Sequence, residues 1–397
     1  MLAVAEAVAK VVSGFSRLPA EQVGIADAAG RVLAEDVAAR TTQPPADVSA
    51  MDGYAVRAAD VTAVPTALRR IGESAAGAGF AGTVGAGEAA RIFTGAPVPA
   101  GADAIVIQED TETDGDTVVV REVPTPGRWI RRAGLDFAAG DVLLRAGQVL
   151  SPRHIGLAAA MNVPWLMVRR RPRVAIVATG NEVVMPGDPL GPDQIVSSNS
   201  LAVAATVTAL GGTAENLGIA RDDAESLRAL VEGARGADLL VTIGGASVGD
   251  YDLVGQVLGD KGLDLGFYKV AMRPGKPLIF GRLGETAVLG LPGNPVSVGV
   301  TSLVFLKPAM QVMLGTDAED GAPATAVLGR DLAANDQRQD YLRARLSRDG
   351  GGDMVATPFE AQDSSMLALF AAADCLVVRP PHAPPAKAGE RVEVLTL

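Results

Sequence analysis

The sequence predicts a multidomain protein of α/β plus β type: a doubly wound α/β domain, an inserted β-rich domain, a linking helical segment and a small C-terminal β domain. Three observations lead there. From about residue 171 strand-like and helix-like segments alternate, as RVAIVATG, SNSLAVAATVTALGG, ENLGIA, DDAESLRALVEGAR and ADLLVTIGG, the order of a parallel sheet covered by helices. From about 45 to 135 the chain offers only short Val-rich runs such as AIVIQED and TVVVREV between Gly and Pro clusters, the texture of a small β-rich unit. After about 320 the runs YLRARL, CLVVRP and RVEVLTL sit between Gly and Pro turns, which reads as a terminal β domain.

Taken in order, residues 1 to about 40 read as a helix followed by GRVLAEDVAAR, and Pro44 and Pro45 break the helical period, so that a new unit starts near 45. In the α/β stretch, Asp222 and Glu225 stand at capping-box spacing before the second helix and Gly211 with Gly212 close the first. The PPHAPPAKAG stretch reads as a stiff loop between the last two strands. At 397 residues the chain fits several domains. Four are expected: 1–44 together with 137–168, then 45–136, 169–318 and 319–397, with the first helix a candidate to pack on the third.

Composition excludes several classes of function. Lys plus Arg number 35 against 46 for Asp plus Glu, a net charge of -11, and no basic run could neutralise a nucleic-acid backbone. Cys375 is the one cysteine, and His154 and His382 are the two histidines, which leaves no internal disulfide and no Cys/His zinc cluster. Without a plausible histidine base, Ser–His and Cys–His catalysis fit poorly; Cys375 reads as a buried structural thiol and His154 as structural. The N-terminus carries Glu6 and Lys10 within its apolar stretch, which suits an amphipathic helix and not a signal peptide. The run after Pro295 reaches Lys307 after about a dozen residues, short of a bilayer span, so a soluble protein in a reducing cytoplasm is expected.

Ligands of open α/β sheets sit outside the carboxyl ends of the strands, and three loops there stand out. ATGNEV offers backbone donors at Thr179 and Gly180 and a carboxylate at Glu182; a simple turn is the bland alternative. TIGGASVGDYD places Gly244, Gly245 and Ser247 after a buried strand, so that backbone N–H groups can approach a phosphate. Its Asp250 and Asp252 would repel a bare phosphate unless a divalent cation lies between them; capping of the next helix is the alternative. LPGNPVS turns at Gly293 and Asn294, after Pro292, and Pro295 can start a helix whose amino end faces the site. Between the second and third loops, Lys269, Arg273 and Lys276 fall within eight residues of an acidic chain, which implies a polyanionic ligand, against the ordinary reading of solvated surface charge.

Taken together, GRVLAEDV, SAMDGYAVR, RIFTGAPVP, ATGNEV, GGASVGDYD, RPGKP, LPGNPVS and the late AQDSSMLAL resemble, in order and over essentially the whole chain, the motif set of the MoeA family, which includes the C-terminal domain of gephyrin. The resemblance implies a homodimer of four-domain subunits, with domain III like the pterin adenylyltransferase and domain IV a small β-barrel. It implies a molybdopterin molybdenumtransferase, which inserts molybdate into adenylylated molybdopterin, releases AMP with Mg2+ or Zn2+, and works in a cleft between subunits. Carried over by motif, Asp52, Thr94, Arg131 and Asp136 would reach that cleft from one subunit. Glu182, Asp252, Lys269, Arg273, Pro292 and Pro295 would face them from the other, with Arg343 and Ser364 from domain IV.

In that scheme Lys269, Arg273 and Lys276 hold phosphates, while Glu182, Asp252 and Asp52 position the cation. Implied partners are a molybdopterin adenylyltransferase and acceptor proteins of the finished cofactor, with no nucleic acid and no membrane. The family commonly has Asp-Glu where this chain has Asn181-Glu182, and a lysine where it has Arg273. Two alternatives remain: a molybdopterin adenylyltransferase using ATP, or a non-catalytic pterin-binding scaffold.

Overall fold

The computed structural model describes residues 1–245, 253–316 and 324–397. The predicted sites Ser247 and Asp252, the neighbouring Asp250 and the predicted boundary at 318–319 lie outside the described residues.

The predicted α/β unit is there. Its six-stranded sheet runs in the order Thr213–Ala220, Arg173–Thr179, Leu239–Ile243, Thr286–Leu291, Pro277–Leu283, Asp264–Lys269. The first four strands are parallel and the last two pair antiparallel, so Asp264–Lys269 again points the way of the parallel set. The central strands Arg173–Thr179 and Leu239–Ile243 are buried almost end to end, as a sheet covered on both faces requires. Leu227, Val231, Val254, Val257 and Leu258 cover one face. Val203, Val207, Val296, Val300 and Phe305 cover the other, together with Val4, Ala7 and Val11 of the N-terminal helix.

That helix is confined to Val4–Ser13, shorter than the sequence suggests. Past Gly14 and Pro19 the chain extends into Ala20–Gly24, which pairs antiparallel with Trp165–Arg169. The segments on either side of the insertion thereby share a core of Leu33, Phe137, Leu144, Leu150, Met161 and Leu166. In the same unit the helix Pro152–Ala160 is closed by a reciprocal capping box of Ser151 and His154, worth about 1 kcal/mol, which gives His154 a structural task.

The insertion is a curled six-stranded sheet ordered Ala104–Ile107, Gly53–Val56, Glu88–Ile92, Thr66–Ser74, Thr117–Val120, Thr111–Asp114. The C-terminal strands close into a barrel because Gln339–Arg348 is long enough to pair with Met354–Pro358 at one end and Cys375–Arg379 at the other. Burial pushes the Cys375 thiol up to about 11, which keeps it protonated and inert. The barrel is not free-standing: Tyr341, Leu376 and Val378 join the core of the α/β unit.

Among the described residues one helix, Pro295–Leu314, is long and apolar enough to cross a membrane, and it is two-thirds buried within the protein. It packs as a core helix, with a π-helical segment Ser302–Leu306 just before Pro308, where the proline ring supplies no N–H to an α-helical ladder.

Candidate active site

The carboxyl ends of Arg173–Thr179, Leu239–Ile243 and Thr286–Leu291 open into a cavity of about 1110 Å³. That is at the upper end of the size usual for small-molecule sites, roomy enough for a ligand with two large parts. Its wall includes Thr179, Gly180, Asn181 and Glu182 from the first loop, Gly244 and Gly245 from the second, and Pro292, Gly293, Asn294 and Pro295 from the third. Nine residues singled out at these loops are thus brought together: Thr179, Gly180, Glu182, Gly244, Gly245, Pro292, Gly293, Asn294 and Pro295.

The second loop can lie this close only because it is glycine. Gly244 and Gly245 have φ of 85° and 64°, and a Cβ on Gly245 would meet Val254 Cγ2 at 2.6 Å and Thr179 Oγ1 at 2.9 Å. The third loop is fixed by side chains from elsewhere. Asn199 Nδ2 donates to the Gly293 carbonyl at 2.7 Å. Asn294 Nδ2 donates to Ser364 Oγ at 2.7 Å, and the Val296 N–H donates to the Ser364 carbonyl at 3.1 Å. Ser364 of the barrel therefore meets the α/β unit at the predicted helix start.

Arg343, also predicted for the site, is 1% exposed. Its backbone N–H and Nε donate to Gln362 Oε1 at 3.0 and 3.2 Å, and Nη1 donates to the Asp363 carbonyl at 2.8 Å. It is bonded into the loop that carries Ser364 and is not among the residues lining the cavity.

Among the described residues that line the cavity none is Lys269, Arg273 or Lys276, though two of the three neighbour one that does. Lys269 ends a strand that points the same way as the parallel set, and its cross-strand partner Pro277 lines the cavity. Lys269 Nζ lies 5.3 Å from the Tyr268 ring centroid; Lys276 is exposed next to Pro277. Arg273, by contrast, is bound to acceptors of the barrel, Asp336, Asn335 and Asp340.

Asp222 is a cavity residue that sequence reasoning missed. Read as a helix cap, it instead lines the cavity and is tied reciprocally to the first loop: Asn181 N–H donates to Asp222 Oδ2 at 3.0 Å and Asp222 N–H to Asn181 Oδ1 at 3.2 Å. The cap of the helix Ala224–Gly233 is the next residue, Asp223, whose Oδ1 accepts from Ser226 N–H at 2.7 Å. The available signal was position: Asp222 follows the strand Thr213–Ala220 as Glu182 follows Arg173–Thr179.

Asp52, Thr94, Arg131 and Asp136 are placed in the inserted unit and at its base. Asp52 Oδ1 accepts both the Thr94 N–H at 2.7 Å and the Thr94 Oγ hydroxyl at 2.8 Å. The Thr94 N–H first, then its hydroxyl, and more weakly Arg91, hold the Asp52 carboxyl below the usual carboxylate range. The Arg91 guanidinium stacks 5.1 Å from the Tyr54 and 4.9 Å from the Phe93 ring centroid, an arrangement in which ring faces share its charge. Arg131 is exposed on a two-residue strand paired with Val48, and the exposed Asp136 donates its N–H to the Gln43 carbonyl at 3.0 Å. Among the described residues no hydrogen bond or ion pair joins these four to the cavity of the same chain.

As for a cation, Glu182 and Asp222 are the described carboxylates in the cavity wall, and among the described residues no three Asp, Glu, His or Cys side chains converge. One or two carboxylates with substrate phosphates make an ordinary Mg2+ site, so the donor set fits a cation brought with a phosphorylated substrate better than a resident one.

Comparison with known proteins matches this geometry along the whole chain. Residues 2–162 match the MoeA N-terminal region (domain I and II), 175–312 a probable molybdopterin binding domain, and 325–397 the MoeA C-terminal region (domain IV). Molybdopterin molybdenumtransferase 2 of Mycobacterium tuberculosis (strain H37Rv) is 38% identical over 385 residues, 94% of each chain. The molybdopterin molybdenumtransferase of Haemophilus influenzae is 34% identical over 377 residues, 94% of this chain and 93% of the relative. The crystal structure of a molybdopterin biosynthesis MoeA protein from Pyrococcus horikoshii superposes with a TM-score of 0.86 at 33% identity, over 100% of this chain and 99% of that one. With family models matched over residues 2–162, 175–312 and 325–397 and relatives 34% and 38% identical over 94% of its length, the chain belongs to the MoeA family.

Proposed function

We propose that the protein is a molybdopterin molybdenumtransferase, which inserts molybdate into adenylylated molybdopterin and releases AMP. The observation that carries the reading is the cavity of about 1110 Å³ at the strand ends: a wall with glycine backbone, and Lys269 and Lys276 next to its Pro277, suit a ligand that joins a pterin to a nucleotide through phosphates. The curated relatives at 34% and 38% identity, each named molybdopterin molybdenumtransferase, support the same activity.

Backbone N–H groups of the loops at Gly245 and Gly293 take the phosphate oxygens, those of Gly180 and Gly244 already donating to the Ala220 and Leu291 carbonyls. Lys269 and Lys276 neutralise the charge that grows as the phosphoanhydride opens. Glu182 and Asp222, with Asp252, would hold a divalent cation, Mg2+ or Zn2+, brought with the phosphorylated substrate. When bound, that ion polarises the phosphoanhydride and lowers the pKa of water. A carboxylate of the same set accepts the proton of the attacking water, and AMP leaves with the bridging oxygen. The dithiolene sulfurs belong to the substrate, so the inert Cys375 has no part in the metal transfer.

Asp52 is ionised, fixed by Thr94, and among the described residues has no bond to the cavity of its own chain. It supplies its charge to the cavity of a second copy, as do Arg131 and Asp136, in a homodimer whose cleft lies between subunits. A cytoplasmic setting, and exchange with a molybdopterin adenylyltransferase and with acceptor proteins of the finished cofactor, belong to the same proposal.

The test is AMP release from the purified protein given adenylylated molybdopterin and Mg2+, with and without molybdate and with a chelator. Release that needs molybdate and is lost in Asp252→Ala and Lys269→Ala is the expected result. ATP consumption with metal-free molybdopterin would replace this reading with the adenylyltransferase one; tight pterin binding with no turnover would replace it with a scaffold.

A further inference from the structure

Arg273 opens the basic motif RPGKP, yet its guanidinium does not stand free at the rim. Nη2 donates to Asp340 Oδ2 and, at 3.3 Å, to Asn335 Oδ1, while Nη1 donates at 3.3 Å to Asp336 Oδ2. All three acceptors belong to the barrel. The Asp340 side chain is 7% exposed, and its Oδ1 has no hydrogen-bond partner. Asn335 cannot swing away, because Nδ2 donates to the carbonyls of Arg338, Arg379 and Pro380 at 2.8, 3.0 and 2.9 Å. The Arg338 guanidinium and then its N–H hold the Asp336 carboxyl at about 2, so it stays an acceptor.

The backbone follows the side chain. Met272–Arg273 pairs in parallel with Gln339 and Asp340, and Gln339 N–H donates to the Ala271 carbonyl at 2.9 Å.

A buried carboxylate with one oxygen already unpaired tolerates its position only while its counter-charge stays in place. A substrate phosphate that recruited Arg273 would have to draw it away from Asp340. Lys269 and Lys276 face no such competition, for among the described residues neither makes an ion pair.

We propose that Arg273 is a positioning residue and not an anion ligand. Pinned to Asp340, it fixes the rim segment 270–277 and so sets Lys269 and Lys276 beside the cavity wall at Pro277. Removing the pin lets the segment move and leaves Asp340 with only the weaker field of Arg338 against its charge; neutralising Asp340 removes the second fault. The inference rests on the transferase reading for what the lysines bind, but the pin itself is testable without it.

The experiment compares full-length wild type with Arg273→Ala, Asp340→Asn, the double variant and Lys269→Ala. It measures kcat and KM for AMP release, AMP affinity by calorimetry, the thermal midpoint, and amide exchange of residues 270–277 and 335–341. Arg273→Ala is expected to lower the midpoint, speed exchange in both segments, and cut turnover about a hundredfold with a parallel loss of AMP affinity, as the two lysines are misplaced. Adding Asp340→Asn should restore most of the midpoint and part of the turnover. Should Arg273→Ala fail to fold, recovery of folded protein in the double variant supports the pin and continued failure overturns it. An unchanged midpoint and unchanged exchange, with weakened AMP binding that Asp340→Asn does not relieve, would make Arg273 an anion ligand and end the proposal. If Lys269→Ala keeps wild-type AMP binding and turnover, the transferase reading of the rim fails, and the pin is judged on exchange and midpoint alone.

Discussion

The cavity at the strand ends and the Asp52–Thr94 turn each place a carboxylate beside a glycine, Glu182 after Gly180 and Asp52 before Gly53, and the protein holds them in opposite ways. In the cavity the glycine backbone sets the shape: Gly180, Gly244 and Gly245 all have positive φ, and the Glu182 side chain is exposed. In the turn a single residue sets the charge, since Thr94 gives Asp52 two hydrogen bonds, one from its N–H and one from its hydroxyl. The first arrangement leaves polar groups for a ligand to satisfy; the second delivers one fixed negative charge. Preorganised charge of that kind is what stabilises a transition state at little reorganisation cost.

The largest effect that could break this comparison is at Gly53. A Cβ there would meet the Val106 carbonyl oxygen at 2.0 Å, on the strand Ala104–Ile107 with which Gly53–Val56 pairs. Gly53→Ala should therefore cost about 3 kcal/mol or more, read as a fall in the thermal midpoint, with loss of turnover as Asp52 is displaced. A wild-type midpoint with full activity would show that the turn tolerates what the sheet forbids.

Thr94→Ala sharpens the comparison at intermediate size. Turnover at neutral pH should drop roughly tenfold as one hydrogen bond to a charged group is lost. Because Thr94 lowers the Asp52 pKa, losing its hydroxyl raises that pKa toward 3.8, the ordinary value. The acid limb of the pH–rate profile should then move to higher pH. A limb that stays put would remove Asp52 from the rate.

The smallest effect is expected at Asn294→Ala, which removes the bond to Ser364 Oγ and should cost about 1 kcal/mol, with activity reduced severalfold. Ser364→Ala should match it, and the double variant should add almost nothing. Additive losses would mean that the two residues touch the substrate separately.

How much of this was legible beforehand depends on the distance to the partner. The strand-end loops could be read because a glycine or proline acts through its own φ, and a strand followed by Gly-rich sequence is local information. Asp222 was misread because two aspartates compete for one helix start, and the reciprocal bonds that take Asp222 away come from Asn181, 41 residues earlier. Arg273 was read with Lys269 and Lys276 as a cation for a polyanionic ligand, and its acidic partner is not local: Asp340 lies 67 residues on. The length of the first helix was overread because an amphipathic period says which face is apolar and not where an extended segment finds a pairing partner.

By itself the sequence determined the order of the units, the alternation that makes a parallel sheet, and the glycines and prolines that shape the strand ends, since all of these follow from backbone sterics and apolar periodicity over a few residues. Only the tertiary structure decided which charges remain for a ligand. Packing the barrel onto the α/β unit committed Arg273 to Asp340 and brought Ser364 to Asn294, and a buried charge must take its partner from whatever the fold brings within reach.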